Sequence, residues 1–206
     1  MAGLTRLVPV PRGNGRIIAV AGGVDGADLG FLEAAESLNW SSVGYVLKGY
    51  RSEAEGDALA ARFGLTETTT TKSKLRNQEN VRACTRLVII LQANGSQIEN
   101  DVDGEARKTG RFYLDGDYEL DDMFYPDDDD GYVNLVFSNN AAVLVLYVRN
   151  GELDSLQHSE VIDSLRVYLE PPRDTKMRVM ISGPSEETLP GIREAVRKLF
   201  VSTFAS

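Results

Sequence analysis

Where the first apolar run gives way to a helical pattern, the chain reads Ala21-Gly22-Gly23-Val24-Asp25-Gly26-Ala27-Asp28. Glycines at a strand-to-helix turn let the backbone approach a ligand closely, and the N–H groups that open a helix attract phosphate or another anion. The spacing is neither G-x-G-x-x-G nor G-x-x-x-x-G-K-[ST], so taken alone it is a weak signal. Asp25 and Asp28 also bring negative charge beside an anion site. The plainer reading is a tight turn at Gly22-Gly23 with Asp25 capping the helix, and residue chemistry leaves the two level. Lys48 and Arg51 flank Gly49 just after a second short strand. Loops in that position line the ligand crevice of an open α/β sheet, which makes these two the best anion-binding side chains; a solvated loop is the competing reading.

Catalytic groupings are scarce. His158 is the lone histidine, between Gln157 and Ser159 in a polar helix, and no motif sets a nucleophile beside it. An exposed helical histidine is the expectation. Cys84, the single cysteine, excludes an internal disulfide and a multi-cysteine metal cluster. It points to a reducing, cytosol-type compartment and reads as a buried structural thiol. No general acid, base or nucleophile is placed by the sequence, so an enzyme is the weaker expectation.

Residues 115–130 hold nine acids and no base, interleaved with Tyr118, Met123, Phe124 and Tyr125; without them 22 acids face 22 bases. The net charge of −9 thus belongs to one acidic insertion, 115–131, on a neutral body. Neither part offers a basic stripe, so nucleic acid is not an expected partner. The insertion fails the EF-hand pattern, with Leu120 at position six and Pro126 at position twelve, and no metal site is assigned to it. Aromatic side chains among the acids, across 113–132, suit contact with a protein partner; a solvated loop is the alternative.

Four short elements, in order, resemble those of the molybdenum-cofactor carrier family, Rossmann-like ligand binders of the SLOG superfamily. Gly22-Gly23-x-x-Gly26-Ala27-Asp28 is similar to that family's SGGQTGAD. Lys48-Gly49-Tyr50-Arg51-Ser52-Glu53 is similar to KGRRAEDG, and Asn80-Val81 to the centre of EWNVRDSD. Ser182-Gly183-Pro184-Ser185 with Pro190-Gly191-Ile192 is similar to AGPRES…PGIY. The resemblance implies a non-catalytic module with a nucleotide- or phosphate-containing ligand, molybdenum cofactor or a nucleotide, at the carboxyl edge of the strands. Gly22, Gly23, Gly26, Asp28, Lys48, Arg51 and Gly95 would form the site.

The departures are equally concrete. Leu29 stands where the family has arginine, and Gln78, Glu79, Ala83 and Thr85 replace residues around Asn-Val. The second glycine turn, TGGT, survives only as Ala93-Asn94-Gly95-Ser96. Residues 97–170 have no counterpart. A diverged member that has lost its ligand and serves as an accessory subunit of a larger protein complex is therefore the second reading. An open anion site at Gly22–Asp28 favours the binder; a filled or distorted one favours the subunit.

The elements that must position these residues form one domain over 1–206. Apolar runs alternate with helical patterns, the form of an α/β, Rossmann-like three-layer sandwich with a mostly parallel sheet and helices on both faces. Strands are expected at 16–21, 43–47, 86–91, 111–114 and 176–182, and helices at 25–38, 53–63, 73–84, 97–109, 153–169 and 185–200. Two further runs, 132–137 and 141–148, split by Ser138-Asn139-Asn140, predict an antiparallel hairpin. A threonine-rich loop covers 66–71. No apolar run approaches the roughly 18 residues of a membrane span, so a soluble chain without membrane insertion is expected. Arg6, Arg12 and Arg16, with no acid in residues 1–24, weakly resemble an organellar (mitochondrial) presequence; a flexible lead-in to a cytoplasmic protein is the plainer reading.

Overall fold

The computed structural model describes residues 16–47, 56–69, 71–94, 97–99, 105–114, 124, 131–138, 141–171 and 175–205. Their strands form one sheet. In chain order these are β1 (Ile17–Val20), β2 (Ser41–Val46), β3 (Leu65–Glu67), β4 (Arg86–Asn94), β5 (Gln97–Ile98), β6 (Val133–Ser138), β7 (Ala141–Arg149) and β8 (Met177–Ser182). Across the sheet the order is β3-β2-β1-β8-β4-β7-β6, with β5 paired to β4. Every pairing from β3 to β7 is parallel, and β6 runs antiparallel to β7. The expected Rossmann-like layering and antiparallel hairpin are both present.

Both faces of the sheet are covered, which is why its strands read as nearly continuous apolar runs. Along β1, Ile17 and Ala19 enter one core while Ile18 and Val20 enter the other; along β4, Val88 and Ile90 alternate likewise with Leu87, Ile89 and Leu91. On the first face lie α1 (Ala27–Ser37), α2 (Gly56–Phe63), α5 (Ser159–Tyr168) and α6 (Ile192–Phe204). On the second lie α3 (Ser73–Ala83) and α4 (Glu105–Tyr113). Phe31, Trp40, Phe200 and Phe204 pack their rings between α1 and α6, with Phe31 and Phe200 4.6 Å apart. The two helices come so close that a Cβ on Gly30 would lie 2.2 Å from the Arg193 carbonyl oxygen.

Several elements differ from the sequence reading. Rather than forming a strand, residues 111–113 finish α4, and Leu114 forms the turn after it. Ala106, Gly110 and Leu114 are all buried and recur at helical spacing, and that periodicity outweighs the strand preference of Phe112 and Tyr113. The predicted helix at 97–109 begins instead as β5, with α4 following. The threonine-rich loop holds β3, a three-residue strand pairing Leu65 with Gly44. Residues 153–169 are a 3-10 helix, Leu153–Gln157, and then α5; the break is at His158, whose backbone is extended. The last helix starts at Ile192, because Gly191 (φ 89°) adopts a left-handed turn ahead of it. Residues 185–191 are turns.

Candidate anion-binding site

The Gly22–Asp28 turn lies at the carboxyl end of β1 and packs directly on the loop that leaves β8. Ala27 donates its N–H to the Pro184 carbonyl (3.1 Å), and Glu186 donates to the Asp25 carbonyl (3.4 Å). Contact is tight: a Cβ on Gly26, whose φ is +110°, would stand 2.5 Å from the Pro184 oxygen. Two of the four sequence elements, 22–28 and 182–185, are thereby joined. They sit where β1 and β2 lie to one side of β8 and β4 to the other, the kind of switch point at which open α/β sheets bind ligands.

The third element has a structural role that also places a charge. Asn80 is fully buried. Its side-chain oxygen accepts the Tyr45 N–H (2.7 Å) and its amide donates to the Tyr45 carbonyl (3.1 Å). Pairing between β1 and β2 reaches Val20 opposite Val43, so Tyr45 lies two residues further along β2. Asn80 acts there as a one-residue substitute strand and fastens α3 to the sheet. One helical turn earlier, on the same face of α3, is Arg76.

Arg76 is 5% exposed, and its guanidinium lies against the glycine turn: a Cβ on Gly22 would meet Nη1 at 1.6 Å. Only a residue without a side chain leaves that space. Among the described residues, Arg76 Nε is the buried side-chain nitrogen or oxygen with no hydrogen-bond partner. The counter-charge is Asp28 Oδ2, 3.9 Å from Nη1.

Asp28 folds back from the first turn of α1 so that Oδ2 accepts the Gly22 N–H (2.9 Å). Burial pushes its carboxyl above the usual carboxylate range, against the opposing pull of Arg76 and of the Gly22 and Val24 N–H groups. Asp25 does not cap α1, as the sequence suggested; Gly26 holds the cap position, and Asp25 accepts the Gly26 N–H (3.0 Å) and lies 3.5 Å from Arg193. A second carboxylate meets the start of α6: Glu186 accepts the N–H groups of Gly191 (2.5 Å) and Arg193 (3.1 Å). The turn before α1 and the start of α6 are therefore both met by the protein's own carboxylates.

Of the sequence-derived site residues, Gly22, Gly23, Gly26 and Asp28 converge here. Lys48, Arg51 and Gly95 lie outside the described residues, as does the acidic insertion apart from Phe124 and Gly131. Arg76 was not singled out by sequence; its one signal is the four-residue spacing from Asn80. His158 is exposed and stacks on Tyr132, with ring centroids 4.3 Å apart. Cys84 is half-buried, its thiol donating to the Val81 carbonyl, and burial raises its pKa to about 12. Among the described residues no group of three or more His, Cys, Asp or Glu is placed to hold a metal ion, and no helix is long and apolar enough to cross a membrane.

Residues 19–116 match the model of the circularly permutated YpsA SLOG family. No curated protein matches the chain. In fold it is similar to the crystal structure titled "Putative molybdenum carrier protein" from Syntrophus aciditrophicus SB, with a TM-score of 0.53 and 18% identity over 92% of this chain and 94% of that one. The family match thus covers a little under half of the chain, and the similarity in fold extends over nearly all of it.

Proposed function

We propose that the chain is a non-catalytic binding module that holds a small phosphate-bearing ligand, a nucleotide or a pterin phosphate, at the carboxyl edge of the sheet. The observation that carries this reading is the buried guanidinium of Arg76 beneath the Gly22 turn, with Nε unpartnered. A guanidinium stays charged at any physiological pH, and burying it costs several kcal/mol unless an anion compensates. Asp28 does so at 3.9 Å, well beyond the roughly 2.8 Å of a strong charge-assisted bond. Such a site suits an anion. Lys48 and Arg51, by resemblance to the carrier element, would complete it from the loop after β2, and Gly95 from the loop after β4.

Calorimetry and thermal melts with nucleoside mono- and diphosphates and a pterin monophosphate test the proposal. A ligand present at one hundred times its Kd adds about 2.7 kcal/mol to stability, a readily measured rise in melting temperature. Lys48→Ala and Arg51→Ala would reduce that rise. Absence of any rise across the series sinks the reading.

A second reading, an accessory subunit of a larger complex, has its own observation: Asp28 already occupies the Gly22 N–H, and Glu186 the N–H groups that open α6. Its contact surface would be the acidic, aromatic-rich 113–132 segment. Native mass spectrometry of the protein from its source separates the two. A lone 22.6 kDa chain with a cofactor-sized adduct supports the binder; a large complex without one supports the subunit.

A further inference from the structure

Asp28 and Arg76 form an unusually loose pair for groups so enclosed. The Asp28 side chain is 16% exposed and that of Arg76 7%, yet they stand 3.9 Å apart, and the remaining contact of Asp28 is with backbone N–H groups. Those same partners, a glycine N–H in the turn that follows a strand and a guanidinium, are what a phosphate oxygen requires. The carboxylate occupies its position from the first turn of α1 and reaches solvent at its edge. Rotation about χ1 can release it without moving the helix.

Resting on the binding reading above, we propose that Asp28 is a resident stand-in for the ligand's anionic group. A phosphate or pyrophosphate group entering the site displaces the carboxylate from the Gly22 N–H and takes Arg76 as its anchor. The displaced carboxylate moves to water, where its charge is well solvated. The incoming group brings more negative charge and more acceptor oxygens to the same donors, including the unpartnered Nε. Asp28 thereby sets a threshold: singly charged, carboxylate-like anions gain nothing over the resident group, whereas phosphates do.

The opposite arrangement has a distinct signature. Were Asp28 to stay in place and accept a hydroxyl or amino group from the ligand, removing its charge would weaken binding. The test is calorimetry on the full chain with inorganic phosphate, pyrophosphate and AMP. It compares wild type, Asp28→Asn, Asp28→Ser and Arg76→Lys, each first shown to melt cooperatively. Asp28→Asn keeps an oxygen for the Gly22 N–H and loses the charge; Asp28→Ser covers the case in which the asparagine variant misfolds. Displacement predicts at least tenfold tighter phosphate or pyrophosphate binding in the Asp28 variants and at least tenfold weaker binding in Arg76→Lys. Equal or weaker binding in the Asp28 variants, with wild type still binding, overturns displacement and leaves the binding reading standing. Undiminished binding in Arg76→Lys overturns the anchor. If neither wild type nor the Asp28 variants bind any of the three probes, the inference and the binding reading fall together.

Discussion

Asn80 holds both the N–H and the carbonyl of Tyr45, at 2.7 and 3.1 Å, through a single side-chain amide. This pairing closes the gap left along β2 once β1 has ended, and it fixes the face of α3 that carries Arg76. Asn80→Ala removes one donor and one acceptor from a fully buried site, where each lost partner costs roughly 1 to 3 kcal/mol. Urea unfolding is expected to show a loss of about 2 kcal/mol or more. Asn80→Asp should be worse, since it replaces a donor with a carboxylate facing a carbonyl. A loss under about 0.5 kcal/mol in both variants would show that α3 is held by other contacts.

Gly44 and Gly22 both lack room for a side chain, for different reasons. A Cβ on Gly44 would lie 1.8 Å from the Ala21 carbonyl oxygen, so only the backbone just past β1 can give way. Gly44→Ala is expected to cost more than about 4 kcal/mol, at the extreme of single substitutions. At Gly22 the obstruction is the end of the Arg76 side chain. Gly22→Ala should cost less, roughly 1 to 2 kcal/mol, while evicting the guanidinium. Equal destabilisation of the two variants would contradict the geometry.

Alkaline titration has a definite direction here. The Cys84 thiol is pushed from 9.0 to about 12 and the Tyr113 hydroxyl from 10.0 to about 12, both chiefly by burial. Because the folded state holds these protons more tightly than the unfolded chain, their contribution is fully present below about pH 9. It is lost as pH rises toward 12. The melting temperature should decline through that window, and native Cys84 should resist iodoacetamide at pH 8 while the urea-unfolded thiol reacts at an ordinary rate. Rapid native labelling at pH 8 would refute the buried, protonated thiol.

Arg193 joins Glu33 of α1 and Asp25 of the glycine turn, with Nε 3.1 Å from Glu33 and Nη1 3.5 Å from Asp25. Its side chain is one-third exposed, so screening limits its worth. Arg193→Met should cost at most about 1 kcal/mol in low salt, and the difference from wild type should shrink in 1 M salt, where the Debye length is about 3 Å. A larger, salt-independent loss would point to packing at the α1–α6 contact instead.

The framework of the sheet was legible because burial on both faces writes itself as uninterrupted apolar runs, as at β4 and β7, and because Ser138-Asn139-Asn140 announced a turn. What escaped notice lacks a periodic signal. Strand β3 spans three residues and is held through backbone pairing with β2. Residues 111–114 carry strand-forming aromatics that α4 turns to its half-exposed side. The glycine turn was readable as an anion site in type but not in occupancy. Asp28 could be seen as misplaced charge, yet that its carboxylate binds the Gly22 N–H depends on how the turn folds. Arg76 was invisible for a related reason: an arginine in a polar helix looks like a solvated one until α3 is docked, and docking depends on Asn80.

The position of β8 in the sheet has a consequence for synthesis. Ile17 pairs with Met177, and β4 pairs with the same strand from the other side. Until residues 177–182 leave the ribosome, β1 and β4 have no β8 between them, and each keeps an apolar, unpaired edge. At bacterial to eukaryotic elongation rates the interval after β4 emerges is on the order of ten seconds. During it the nascent chain has two sticky edges and no way to join them. The half-made protein is thus a natural client for chaperones that bind exposed strands, and truncations short of β8 should aggregate rather than fold.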